Sequence, residues 1–107
     1  MITPEIITQG YIGGMKGTYT TVVKHDIGFL DWYCVYIEVP NNKKIDIDCY
    51  NGLTFNDYLE PDVDYPIEGL EKSLGMTVIG WDYQYSNLSE FEIIEDVLET
   101  VKKMVIE

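Results

Sequence analysis

The sequence predicts an α+β fold, one twisted antiparallel sheet of four to five strands with an amphipathic C-terminal helix, about residues 89–105, packed on one face. Three observations predict it. Apolar residues alternate, or run unbroken, over segments of strand length. Turn residues separate those segments, and the C-terminal stretch carries apolar steps of three and four. At 107 residues the chain reads as a single domain, 1–107.

The first piece is short: Ile6 and Ile7, then Gly10, Gly13, Gly14 and Gly17 in quick succession. With Lys16 these glycines invite a phosphate-loop reading. Such a loop needs Gly-Lys-Ser/Thr opening a helix, whereas Met15-Lys16-Gly17-Thr18 leads into β-branched residues. A flexible hairpin turn or a strand bulge is the expectation. Tyr19–Val23 is strand-like, with Thr20, Thr21, Val22 and Val23 all β-branched, and Gly28 marks a turn. Trp32–Val39 is apolar on both faces, the profile of a central strand.

Pro40–Lys44 reads as a loop to Ile45–Tyr50, where Ile45, Ile47 and Cys49 alternate with Asp46, Asp48 and Tyr50. Symmetric pairing about that loop sets Ile37 opposite Ile47 and Val35 opposite Cys49, with Cys34 on the other face. That register keeps the two cysteines apart as free thiols. Asn51-Gly52 supplies the positive-φ positions of a type I′ hairpin turn, and Leu53-Thr54-Phe55 starts the return strand.

Asp57, Glu60, Asp62 and Asp64 surround Pro61 in an acidic loop. Pro66–Leu74 suggests a short helix stopped by Gly75. Thr77–Tyr83 is a further strand whose Gly80 marks a bulge or a close neighbour. In the last helix Ser89 and Glu92 form a capping box, and Leu88 with Ile93 a hydrophobic staple. Phe91, Ile94, Leu98, Val101 and Val105 make the expected buried stripe, with acids at the start and Lys102-Lys103 at the end.

Charge narrows the function classes. Up to Ile45 four lysines balance four acids, and from Asp46 onward three lysines meet fifteen acids, so the net −12 lies wholly in the second part. An acidic chain without arginine is repelled by nucleic acid and anionic membrane and attracted to basic protein surfaces. The 46% hydrophobic content argues for a folded core despite that charge. Two cysteines are too few for a disulfide scaffold, and no signal peptide or spanning segment is visible, so the expectation is cytoplasmic.

Catalytic chemistry finds little purchase. His25 is the single histidine, and adjacent His25 and Asp26 on a strand face opposite ways. The chain is not expected to be an enzyme or to hold a cofactor. Asp46 and Asp48 share a strand face about 7 Å apart. With Asp82 as a third oxygen donor they are weak candidates for a divalent site, or for a sequestered small ligand.

Asn51-Gly52-Leu53-Thr54-Phe55, Ile79-Gly80-Trp81-Asp82 and the acidic terminal helix resemble an uncharacterised family of small phage and prophage proteins. Its pattern runs from an aromatic strand ending in Val-Pro, through Asp-Val-His-Gly-Gly-Leu-Thr-Phe, to Ile-Gly-Phe-Asp followed by a histidine and an aspartate. The resemblance spans roughly Trp32 to Val105. This chain departs from it at Tyr50 and Tyr85, where the pattern has histidines, at Asn51, where it has glycine, and at Leu88, where it has aspartate.

What the resemblance implies is a phage-type protein acting in the cytoplasm of an infected host. With the charge, it leads to an anti-defence inhibitor, anti-CRISPR-like or similar, that mimics nucleic acid and binds a basic host nuclease or effector complex. The expected partner-binding residues are Asp46, Asp48, Tyr50, Asp57, Tyr58, Glu60, Asp62, Asp64, Asp82, Tyr83 and Tyr85. Tyr36 and Tyr65 would add to the same acidic, tyrosine-rich surface. A homodimer through an uncovered sheet face rich in Trp32 and Tyr36 is a further expectation.

Overall fold

Trp32–Val39 is expected to be interior, and in the computed structural model it lies within the middle strand. The structure describes residues 5–11, 19–39, 45–60 and 75–106. Strands β1 (Glu5–Gly10), β2 (Thr20–Asp26), β3 (Asp31–Val39), β4 (Ile45–Asp46), β5 (Phe55–Tyr58), β6 (Thr77–Asp82) and β7 (Val105–Ile106) are joined by one helix, α1 (Glu90–Lys103). Among the described residues an antiparallel five-stranded sheet runs in the order β1-β2-β3-β6-β5, and β4 pairs with β7 in a separate two-stranded piece. The fold is α+β, as expected. The glycine loop after Gly10, Pro40–Lys44, the end of the acidic loop with Asp62, Asp64 and Tyr65, and the helix expected at Pro66–Leu74 lie outside the described residues.

The expected neighbour of β3 was wrong. β3 pairs with β2 (Val22↔Val35, Thr20↔Ile37) and with β6 (Val35↔Trp81, Ile37↔Ile79), so neither edge is left for Ile45–Tyr50. The reason is desolvation. Both faces of the sheet beside β3 are buried, and an interior strand bearing Asp46 and Asp48 would bury unpaired carboxylates. β6 carries Val78, Ile79 and Trp81 instead, all buried. The alternation over residues 45–49 is nevertheless real. Ile45, Ile47 and Cys49 pack against the core while Asp46 and Asp48 stay exposed.

Asn51 and Gly52 do have positive φ, 57° and 78°. They do not close a hairpin. Gly52 N–H donates to Cys49 O at 3.0 Å around Tyr50-Asn51, and Thr54 N–H then donates to Gly80 O at 2.9 Å, which delivers the chain to β5 at the sheet edge. Gly80 earns its place by a close approach, since a Cβ there would sit 2.5 Å from the Val35 carbonyl oxygen and 3.0 Å from the Tyr36 ring. That leaves room for the Tyr36–Phe55 edge-to-face contact across the strand, centroids 5.5 Å apart.

Helix α1 begins as its sequence dictates. Ser89 Oγ accepts from Glu92 N–H at 3.2 Å and Glu92 Oε1 accepts from Ser89 N–H at 3.0 Å, completing the capping box. Its buried face meets the expected stripe only in part. Ile93, Val97, Thr100 and Val101 point inward, Ile94 is half-buried and Phe91 is 71% exposed, while Val105 lies past the helix end at Lys103, on β7. The helix is thus rotated by about a quarter-turn from the Phe91–Val105 stripe, at 100° per residue. A polar anchor selects that rotation: Tyr83 Oη donates to Asp96 Oδ2 at 2.6 Å. Tyr33 Oη donates to Glu90 Oε1 at 2.9 Å and ties down the first turn.

The core has two parts. On the helix side, Val22, Val35, Ile37, Val39, Ile79 and Trp81 pack with Ile93, Val97, Val101 and Met104. Each fully buried aliphatic side chain there contributes roughly 1.5–3 kcal/mol. On the opposite face Val23, Cys34, Tyr36, Leu59 and Val78 form a second buried cluster. The expected uncovered face is therefore not bare, and Tyr36 is a core residue. Cys34 and Cys49 are free thiols in different clusters. No helix among the described residues is long and apolar enough to cross a membrane.

Candidate functional site

Carboxylates converge on the flank of α1. Leu88, Glu92, Glu95, Asp96 and Glu99 line a shallow groove of about 300 Å³, with residues three, four and seven apart sharing one side of the helix. Glu99 reaches Lys103 at 3.9 Å, and that exposed pair is worth little. Among the described residues no cation pairs with Glu92, Glu95 or Asp96. Glu92 is held below the usual carboxylate range by the Ser89 backbone N–H and hydroxyl.

The wall of this groove is rigid. Trp81 Nε1–H donates to Tyr83 Oη at 3.0 Å, Tyr83 Oη donates to Asp96, and Thr100 Oγ1 donates to Asp96 O at 2.8 Å. Tyr50 stacks on Tyr83, centroids 5.1 Å apart at 22°. Burial first, then the bond to Asp96, pushes the Tyr83 phenol well above 10.0. Cys49 lies near the charges of Asp48, its chain neighbour, and Asp96. Burial first, then those charges, raises its thiol pKa.

The expected partner-binding residues divide into groups. Asp46, Asp48 and Tyr50 lie on the segment that packs against the helix-side core, the first two exposed and Tyr50 half-buried. Asp57, Tyr58 and Glu60 are exposed at the far sheet edge, on and just after β5. Asp82 ends β6, half-buried, with Oδ1 accepting from Gln84 N–H at 3.1 Å and Oδ2 from Thr54 Oγ1 at 3.3 Å. Tyr85 is 88% exposed with φ 69°. Tyr83 is a correction: at 2% exposure it is core, because its hydroxyl is the buried link between sheet and helix.

Among the described residues Glu92, Glu95, Asp96 and Glu99 on α1 share one groove, and the exposed Asp46, Asp48, Asp57 and Glu60 do not line it. The sequence shows Glu90, Glu92, Glu95 and Glu99 as acids of the terminal helix, but only the folded helix shows that the last three share a groove with Asp96. The Asp46, Asp48 and Asp82 cation set is not assembled, since β4 ends at Asp46 and Asp82 already accepts two hydrogen bonds. Among the described residues no three His, Cys, Asp or Glu side chains are placed to hold a metal ion. His25 and Asp26 point apart: His25 stacks on Trp32, centroids 5.2 Å apart, while Asp26 Oδ1 accepts from Gly28 N–H at 2.7 Å. Burial lowers the His25 pKa below 6.5.

Sequence reasoning passed over one exposed feature. Residues 25–32 form a finger whose tip shows Ile27, Phe29 and Leu30 to solvent. The signal was present, as Ile-Gly-Phe-Leu is an apolar sequence at a turn. No known protein family, curated protein or solved structure matches this chain.

Proposed function

We propose that this chain is a phage-type acidic protein that acts in the host cytoplasm. It binds a basic, nucleic-acid-binding host factor and inhibits it by occupying the groove where nucleic acid would lie. The activity is binding, without a catalytic step. The observation that supports this reading is the carboxylate groove on α1. From Glu92 to Glu99 four carboxylates fall within roughly 10 Å of helix axis. That is about the linear charge density of one DNA strand, one charge per ~3.4 Å. The capping box and the Tyr83–Asp96 bond hold the helix that presents them, so little ordering cost is left for binding.

Electrostatic mimicry implies fast association that weakens steeply with salt. The test is a pull-down from bacterial lysate with the tagged protein, washed at low and then moderate salt. The expected result is a single basic nucleic-acid-binding protein, released by salt, displaced by added DNA, and lost when Glu92, Glu95 and Glu99 are changed to Gln together. An empty pull-down, or capture indifferent to salt, removes the reading.

A further inference from the structure

We propose that the β2–β3 finger is a preformed anchor that inserts into an apolar pocket, rimmed by lysine or arginine, on a protein partner. Register isolates the finger. β1 pairs with β2 only as far as Lys24, and β6 pairs with β3 only from Cys34, so no described strand flanks residues 25–32. Among the described residues the tip reaches roughly 10 Å past the last pairs of β1 and β6, at about 3.3 Å per residue. Its own bonds stiffen it. The ladder runs to Asp26↔Asp31, Ile27 N–H donates to Leu30 O at 3.0 Å, and Asp26 Oδ1 holds Gly28 N–H. Gly28, at φ 96°, takes the first central position of the turn, where a primed turn requires positive φ.

This rigid tip presents Ile27, Phe29 and Leu30 together, with Phe29 88% exposed. Turn tips are ordinarily polar, and clustered apolar exposure marks an interaction site. The surface is convex, so it needs a concave acceptor rather than a small ligand. A second copy carries the same −12 and the same acidic neck, so it offers no cationic rim. Charge decides between a bilayer and a protein. The neck carries Asp26 and Asp31, with Lys24 paired to Asp31 at 3.7 Å, and the whole chain is −12, which repels an anionic lipid surface and favours a cationic rim.

The inference stands apart from the acidic groove, and its test separates the two. A photo-crosslinking amino acid replaces Phe29, or Tyr11 as an exposed control outside both surfaces, in the full chain mixed with bacterial lysate at high salt. The expected result is a crosslink from position 29 alone, mapped by mass spectrometry to apolar residues of one protein with Lys or Arg beside them. Phe29→Ser is expected to weaken competition for that protein at least tenfold with its thermal midpoint unchanged, while the Glu92, Glu95 and Glu99 to Gln variant still competes at high salt. No crosslink above the Tyr11 control overturns the proposal. So does co-flotation with phosphatidylcholine or phosphatidylglycerol vesicles, or a concentration-dependent dimer in sedimentation that Phe29→Ser abolishes.

Discussion

The seam between α1 and the sheet uses apolar and polar groups in the opposite way from the β2–β3 finger. At the seam Trp81, Ile93, Val97 and Val101 are buried, and the indole N–H and the Tyr83 hydroxyl are partnered. At the finger the polar groups are tied up in making a turn, and the large apolar groups are left in water. Similar side chains therefore do different work according to what surrounds them. Substitutions at the seam should change stability, and substitutions at the finger tip should change binding alone.

The strongest way to break that contrast is Trp81→Ala. It removes the largest fully buried side chain and orphans the Tyr83 network, and about 3–5 kcal/mol of destabilisation is expected by urea unfolding. A loss of under about 1 kcal/mol would mean that the seam is not where the fold is held.

Tyr83→Phe is expected to cost about 1–3 kcal/mol, because the indole N–H loses its acceptor. It should also change the alkaline limb. The folded pKa values of Tyr83, above 10.0, and of Cys34, raised by burial from 9.0 to about 11, exceed their unfolded values. Their stabilising contribution is complete below those unfolded values and is lost as pH rises from about 9 upward. Thermal midpoints measured across that range should fall less steeply in Tyr83→Phe than in the parent; an identical slope removes Tyr83 from the account.

Smaller still is Ser89→Ala, expected to cost about 1 kcal/mol through loss of the cap. Glu92 supplies the sign at low pH. Its folded pKa is lowered, so its contribution is present above the unfolded value and disappears as pH falls through the lowered one. Glu92→Gln should flatten that acid limb in circular dichroism, and an unchanged limb would assign it to other carboxylates.

At the other end of the scale, Phe29→Ser should leave stability within about 0.5 kcal/mol of the parent. A large loss there would place Phe29 in the core and erase the distinction between finger and seam.

Much of this was legible locally. The capping box, the positive φ of Asn51 and Gly52, the close approach at Gly80 and the inward alternation of Ile45, Ile47 and Cys49 all follow from residues a few positions apart. The candidate site was legible only in sign: the excess acid after Asp46 is plain in the sequence, but the groove shared by Glu92, Glu95, Asp96 and Glu99 is not.

What the chain determined by itself is the kind and polarity of its longer elements, β2, β3, β6 and α1, because φ preference, capping and periodicity are short-range. Tertiary structure alone decided that β6 rather than Ile45–Tyr50 lies beside β3, and that Tyr83 is core. It also decided that α1 turns Ile93 inward and Phe91 out. Each of those outcomes is a competition for one buried place. Candidates with similar local merit are separated there by which can be desolvated without leaving a charge or a hydrogen-bonding group unpaired.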